Sequence, residues 1–137
     1  MKQELRVEIP NGSMVFRMET VLREGSMRMV KKVFRMICGL PDREVWLEDI
    51  REYLGKEEEK ERGRQQQLAV QLEIADTVYR QLKTPGIQIF TNRKEAVGQS
   101  KALCVELRRK LSSSRRLMAR YEKIRDMVDS VEKGGRG

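Results

Sequence analysis

Apolar residues recur at heptad spacing in the C-terminal half of this chain, and this spacing restricts what it can fold into. One seam has separations of 4, 3, 4 and 3 positions, which place its members on one side of an α-helix. Its members are Leu68, Leu72, Ala75, Tyr79 and Leu82. The turn residues Thr84, Pro85 and Gly86 follow, and proline cannot continue a helix. We therefore expect a helix that begins near residue 65 and ends before Pro85.

A second seam lies between Leu107 and Val131, but its register slides along the chain. Leu107, Leu111, Met118 and Tyr121 follow one spacing, whereas Leu117, Tyr121, Ile124, Val128 and Val131 follow another. The run Ser112 to Ser114 lies where the two meet, and serine side chains can cap a new helix. Residues 93–133 therefore form either one long helix or two shorter ones. Two or three heptads favour an antiparallel pair within one chain, with homodimerisation through the seams as the competing use.

The N-terminal segment predicts a β-hairpin. Asn11-Gly12 lies between two alternating runs, and a two-residue Asn-Gly loop is a strong hairpin signal. Pairing outward from this loop puts apolar residues on one face. The predicted pairs are Ile9 with Met14, Val7 with Phe16, and Leu5 with Met18. A competing interpretation makes residues 14–24 a helix; the Asn-Gly signal favours the hairpin.

Residues 27–38 carry the pattern of an amphipathic helix with Ser26 as its N-cap. The apolar positions recur at i, i+3, i+4 and i+7, and the basic positions repeat this spacing on the opposite side. The apolar set is Val30, Val33, Phe34 and Ile37, and the basic set is Arg28, Lys31, Lys32 and Arg35.

A further helix is predicted after Pro41, with Asp42 as its cap and Gly55 as its end. Its expected buried stripe is Trp46, Ile50, Tyr53 and Leu54. Residues 56–64 contain no apolar side chain, which indicates a charged linker or a helix end. The β-branched and aromatic run 87–91 favours a third short strand.

These elements predict an α+β, helix-rich fold in a single domain over residues 1–137. An N-terminal β-hairpin, with or without the strand at 87–91, is packed by helices, and long C-terminal helical segments form an antiparallel pair. Residues 1–55 hold the hairpin and two helices. Residues 65–133 hold a helix, the short strand and a long basic helical region, and 134–137 form a flexible tail.

Several kinds of chemistry lack the residues they require. The chain has no histidine, and its two cysteines, Cys38 and Cys104, are too far apart for a CxxC pair. Neither a phosphate-binding glycine motif nor a nucleophile activated by histidine occurs. We therefore expect no metal, no cofactor and no enzymatic activity, and we expect both cysteines to be buried apolar side chains.

The chain lacks an apolar run long enough to cross a membrane, and residues 1–4 lack the apolar stretch of a secretory signal. We expect a cytoplasmic protein that does not contact membranes.

Positive charge is the most informative feature for function. The chain has 29 Lys and Arg against 21 Asp and Glu, a net charge of +8. Residues 1–40 carry +4 and residues 93–137 carry +7, while residues 41–83 carry −3. If the last helix is continuous, four cations at i, i+7, i+11 and i+14 line its outer face. These four are Arg109, Arg116, Arg120 and Lys123.

Arginine-rich rows suit polyanions, because guanidinium groups bind phosphate and displace counterions. The first hypothesis is therefore a non-enzymatic binding protein that docks onto nucleic acid, or a nucleoprotein, through the basic face of its C-terminal helices. The alternative is a protein-protein inhibitor or adaptor, of the kind a phage or mobile element encodes, that blocks a larger nucleic-acid-handling enzyme. It would bind an acidic surface of its target. The candidate contact residues for either partner are Arg28, Lys31, Lys32, Arg35, Lys101, Arg108, Arg109, Arg115, Arg116, Arg120 and Lys123.

Overall fold

The computed structural model describes residues 4–84 and 93–134, with side chains described as far as residue 131. Over these residues the chain forms two strands and four helices: β1 Glu4–Ile9, β2 Gly12–Arg17, α1 Met18–Glu24, α2 Met27–Cys38, α3 Arg43–Lys83 and α4 Arg93–Gly134. The α+β, helix-rich class with an N-terminal hairpin is confirmed for these residues. The strand predicted at 87–91, like residues 135–137 of the predicted tail, lies outside them.

The chain divides into two compact units. Unit 1 contains the described residues up to Glu58 together with those from Ala119 onward, and unit 2 contains the described residues from Glu59 to Met118. Both long helices contribute to both units.

The hairpin has a different register from the predicted one. The observed pairs are Ile9 with Gly12, Val7 with Met14, and Leu5 with Phe16. In the predicted register, Pro10 would close the hairpin opposite Ser13, where both residues donate a backbone N–H, and proline has none. Pro10 and Asn11 therefore form the loop, and Gly12 follows with a φ of 143°, which a residue without a side chain adopts readily. A shift of two positions leaves the same side chains on the same face.

β2 ends at Arg17, and α1 begins at the next residue. The predicted pairing of Leu5 with Met18 is therefore wrong, because Met18 is already helical and fully buried. Residues 14–24 are thus a strand followed by a helix, and each of the two competing interpretations holds for part of the segment.

The predicted amphipathic helix is confirmed in α2. The Ser26 hydroxyl accepts a hydrogen bond from the backbone N–H of Met29 at 3.1 Å, and this caps the first turn. All four predicted apolar residues, Val30, Val33, Phe34 and Ile37, are buried. They join a core in unit 1 that also includes Leu22, Leu47, Ile50, Leu54, Tyr121, Ile124 and Val128. Trp46, expected in this core, is only half-buried, and the neighbouring Leu47 takes the buried position.

α3 runs from Arg43 to Lys83 without interruption. Gly55 does not end a helix, and residues 56–64 are not a linker. Lys, Glu and Arg are good helix formers, and an i, i+4 ion pair joins Lys56 to Glu52 at 3.2 Å. The part of this segment that belongs to unit 1, residues 56–58, is anchored there by Glu58, which is buried and whose Oε1 lies 3.1 Å from Nη2 of Arg125.

α4 is likewise one helix, and the serine run does not break it. In unit 2 the predicted seam is confirmed: Leu68 and Ala75 of α3 pack against Leu107 and Leu111 of α4. The two helices are antiparallel here, since Arg93 at the start of α4 donates to the carbonyl of Leu82 near the end of α3. In the described part of the chain, no helix combines the length and apolar character needed to cross a membrane.

Candidate binding surfaces

The outer side of α4 in unit 2 carries exposed cations. Arg109 and Arg116 are seven positions apart and lie close to the side of the helix opposite the buried Cys104 and Leu107. Lys101 and Arg115 are also exposed, and around the helix they lie between this side and the buried side. We call the four the α4 cationic surface: Lys101, Arg109, Arg115 and Arg116. None of them forms an ion pair with a residue that the structure describes, although Arg116 donates a long hydrogen bond of 3.4 Å to Ser113 Oγ.

Two other cations of this stretch already have carboxylate partners. Arg108 Nη2 donates to Asp76 Oδ1 at 2.8 Å, and Lys110 Nζ lies 3.4 Å from Glu106 Oε1. Both pairs are exposed, so each contributes little to stability and could open for a stronger partner. Arg108, predicted as a contact residue, is therefore less available than its neighbours.

Arg120 does not belong to an outward stripe, and that prediction is wrong. Its guanidinium donates from Nε to the carbonyl of Leu22 at 2.8 Å and from Nη2 to the carbonyls of Val21 and Gly25. These carbonyls lie at the C-terminal end of α1, where the helix dipole is negative. The Val21 carbonyl also accepts the backbone N–H of Gly25 at 3.0 Å. Arg120 therefore caps α1 from another part of unit 1.

Gly25 allows the close packing at this end of α1. A Cβ atom at this position would lie 2.7 Å from the Val21 carbonyl oxygen, which Arg120 also contacts. The backbone of Gly25 is extended rather than left-handed, so space and not conformational freedom requires glycine here.

The basic side of α2 is exposed as predicted. Arg28, Lys31, Lys32 and Arg35 are all solvent-accessible, and α2 contains no acidic residue. Two grooves border this helix within unit 1. The first, about 540 Å³, lies between α2 and α4 and includes Lys31, Arg35 and Lys123 in its lining. We call it the α2–α4 groove.

The second groove, about 520 Å³, lies between α2 and the hairpin and includes Arg28 and Lys32. Its apolar lining is rich in methionine and comprises Val7, Met14, Phe16, Met29, Val33 and Met36. The four predicted α2 cations are therefore divided between two different grooves.

The two cysteines are free, and their surroundings differ. Burial raises the pKa of the Cys104 thiol, and a hydrogen bond with Asp76 raises it further. This thiol therefore stays protonated at neutral pH and fills the core of unit 2, as predicted. Cys38 is only half-buried and lines the α2–α4 groove, so the prediction that it is buried is wrong.

Burial also raises the pKa of Tyr53 to about 12, and the nearby carboxylate of Glu57 adds to the effect. Tyr53 belongs to the core of unit 1. Among the described residues, no group of three or more cysteine and acidic side chains is placed to hold a metal ion.

The sequence did not predict that Lys123 lines the same groove as Lys31 and Arg35. The helical period predicted that each of these side chains is exposed, but it did not predict which helices are neighbours. The signal that was available is the buried stripe of α2, since a helix with one apolar side must pack against another element.

This chain matches none of the protein families, curated proteins or solved structures with which it was compared.

Proposed function

We propose that this chain is a non-enzymatic binding protein that contacts the phosphate backbone of nucleic acid through the α4 cationic surface. The observation that carries the proposal is that Arg109 and Arg116 project from one side of α4, about 10 Å apart along its axis, with no acidic partner among the described residues. Guanidinium groups in such a row bind phosphates and release condensed counterions.

The expected mode of contact is electrostatic and reads little base sequence. Tyr121, the only aromatic residue between Lys101 and Arg125, is buried and cannot stack on a base. The α4 cationic surface consists of lysine and arginine, which position a protein on a sugar-phosphate backbone without selecting bases. Duplex and single-stranded forms should therefore both bind, with weak sequence preference.

The test is fluorescence anisotropy with labelled duplex and single-stranded oligonucleotides at low salt, using the full chain. Arg109→Glu with Arg116→Glu should weaken binding roughly tenfold or more, because both contacts become repulsive. A matched control is Arg6→Glu with Arg62→Glu, which changes net charge equally at exposed positions outside the surface. The control should retain most of the affinity.

Two outcomes would refute the proposal. One is absence of binding by the unmodified chain at low salt. The other is an equal loss in both double variants, since this would mean that net charge alone and not the α4 cationic surface holds the oligonucleotide. Circular dichroism and thermal unfolding of each variant establish that it is folded.

A further inference from the structure

The α2–α4 groove combines an apolar floor with a cationic rim. Its apolar lining consists of Phe34 and Cys38 from α2 and Met127 and Val131 from α4. Phe34 is buried at the base, while the other three side chains are partly accessible. An apolar groove between two helices commonly binds the apolar side of a third helix.

The rim is positively charged. Lys31, Arg35 and Lys123 line it against one carboxylate, Asp126, which leaves a net charge of +2. α2 contains no acidic residue that could neutralise these cations. The next carboxylate along α4, Asp129, is engaged by Arg51 at 2.7 Å. An occupant that supplies carboxylates would therefore meet unneutralised cations.

These features favour a protein segment over nucleic acid in this groove. The ring of Phe34 is 2% exposed and offers no face on which a base could stack. The floor of the groove is apolar, and the charged backbone of a nucleic acid gains no favourable contact with an apolar surface. Met127 adds an unbranched, adaptable side chain that can fit several apolar shapes.

We propose that the α2–α4 groove binds an acidic amphipathic helix of a partner protein. Its apolar side would pack on Cys38, Met127 and Val131, the accessible part of the floor, and its carboxylates would reach Lys31, Arg35 and Lys123. This site uses none of the four residues of the α4 cationic surface, so it goes beyond nucleic-acid contact and does not depend on it.

The first test selects ligands from a displayed library of random peptides, each long enough for about four helical turns, on the full chain. The enriched peptides should place apolar residues at i, i+3, i+4 and i+7 and acidic residues between them. Lys31→Glu with Arg35→Glu should weaken their binding about tenfold or more. Arg28→Glu with Lys32→Glu is a matched control on the same helix, beside the other groove, and should leave binding within about twofold.

Cys38 provides a second readout in the unmodified protein, because it lines the groove. An enriched peptide should slow alkylation of Cys38, with the buried Cys104 as an internal reference. If the Glu variants fail to fold, Lys31→Gln with Arg35→Gln removes the same charges more gently and should still weaken binding.

Three results would overturn the proposal. The first is enrichment without acidic residues, or equal loss in the two double variants. The second is a dimer in light scattering whose dissociation exposes Cys38, which would make a second copy the occupant. The third is protection of Cys38 by an oligonucleotide, which would assign the groove to nucleic acid. Loss of oligonucleotide binding in Arg109→Glu with Arg116→Glu bears on the proposed function alone.

Discussion

At the scale of single residues, hydrogen-bond partners decide which cations a ligand can reach. Arg116 and Arg120 are four positions apart in sequence, and both were expected on one outward stripe. Arg120 instead donates to three carbonyls at the end of α1, whereas Arg116 is exposed. One arginine is therefore committed to folding, and the other is available for binding.

Replacing Arg120 with Met should lower the free energy of unfolding by about 2 kcal/mol, because the α1 carbonyls lose a charged donor. Arg116→Met should change it by less than about 0.5 kcal/mol, since that side chain is exposed. Urea unfolding of the two variants measures the difference. Equal stability would show that the capping contact contributes nothing.

Tyr53 should make stability depend on alkaline pH. The ordinary pKa of a tyrosine, taken for the unfolded chain, is 10.0, and burial raises the pKa of Tyr53 to about 12 in the folded protein. Between these values the unfolded chain has lost the phenolic proton while the folded protein keeps it, so stability falls as pH rises through this window. Below pH 10 the contribution is constant.

Urea unfolding across pH 10 to 12 tests this window in the unmodified protein and in Tyr53→Phe. The Phe variant lacks the titrating group, so its stability should fall less steeply. If both proteins lose stability in parallel, other ionising groups account for the effect and the phenol of Tyr53 does not.

At the scale of elements, the continuity of α3 is the main structural result. Both Gly55 and Gly63 lie inside the helix, which runs from Arg43 to Lys83. A Cβ atom at Gly63 would meet nothing within 4 Å, so a side chain fits there. Within unit 1, the buried Glu58 forms an ion pair with the partly exposed Arg125 and so anchors α3 near Gly55.

Substitutions at Gly63 distinguish a helix from a linker. Gly63→Ala should raise the free energy of unfolding by about 0.5–1 kcal/mol, because alanine loses less backbone entropy in a helix. Gly63→Pro should lower it by about 3 kcal/mol or more. Thermal or urea unfolding gives both values, and an unharmed proline variant would contradict a continuous helix.

The sequence predicted elements wherever a local pattern determined them. The amphipathic α2, its Ser26 cap and the heptad seam in unit 2 all follow from spacing that one helix imposes. The predicted hairpin register was wrong, because Pro10 lacks the backbone N–H that this register requires, and this requirement outweighs the Asn-Gly signal. The uninterrupted helix through residues 56–64 was not predicted, because the lack of apolar residues and Gly55 were taken as signs of a linker or a helix end, although Lys, Glu and Arg favour a helix.

The candidate surfaces were predicted less completely than the elements. Exposure of Arg109 and Arg116 follows from the helical period of α4, whereas Arg115, four positions after the buried Leu111, is exposed although the period places it beside the buried stripe. Convergence of Lys123 with Lys31 and Arg35 depends on which helices are neighbours, and no local pattern contains that information. The capping role of Arg120 was not predicted for the same reason, because the end of α1 that it contacts lies about a hundred positions away in sequence.

At the scale of the whole molecule, the net charge of +8 is unevenly distributed. Residues 41–83 carry −3 and neutralise part of the excess through pairs such as Arg108 with Asp76 and Arg125 with Glu58. What remains is concentrated on α2 and on the α4 cationic surface. These two concentrations of positive charge correspond to the two proposed sites. The α4 cationic surface in unit 2 is proposed to bind phosphate, and the α2–α4 groove in unit 1 is proposed to bind an acidic helix.

The most direct test of the central proposal is the salt dependence of oligonucleotide binding. If all four residues of the α4 cationic surface contact phosphate, a plot of log affinity against log salt should have a slope of about −3 to −4 on duplex DNA. Arg109→Glu with Arg116→Glu should make the slope about two units shallower. A slope near zero, or one that this double variant leaves unchanged, would contradict phosphate binding by this surface.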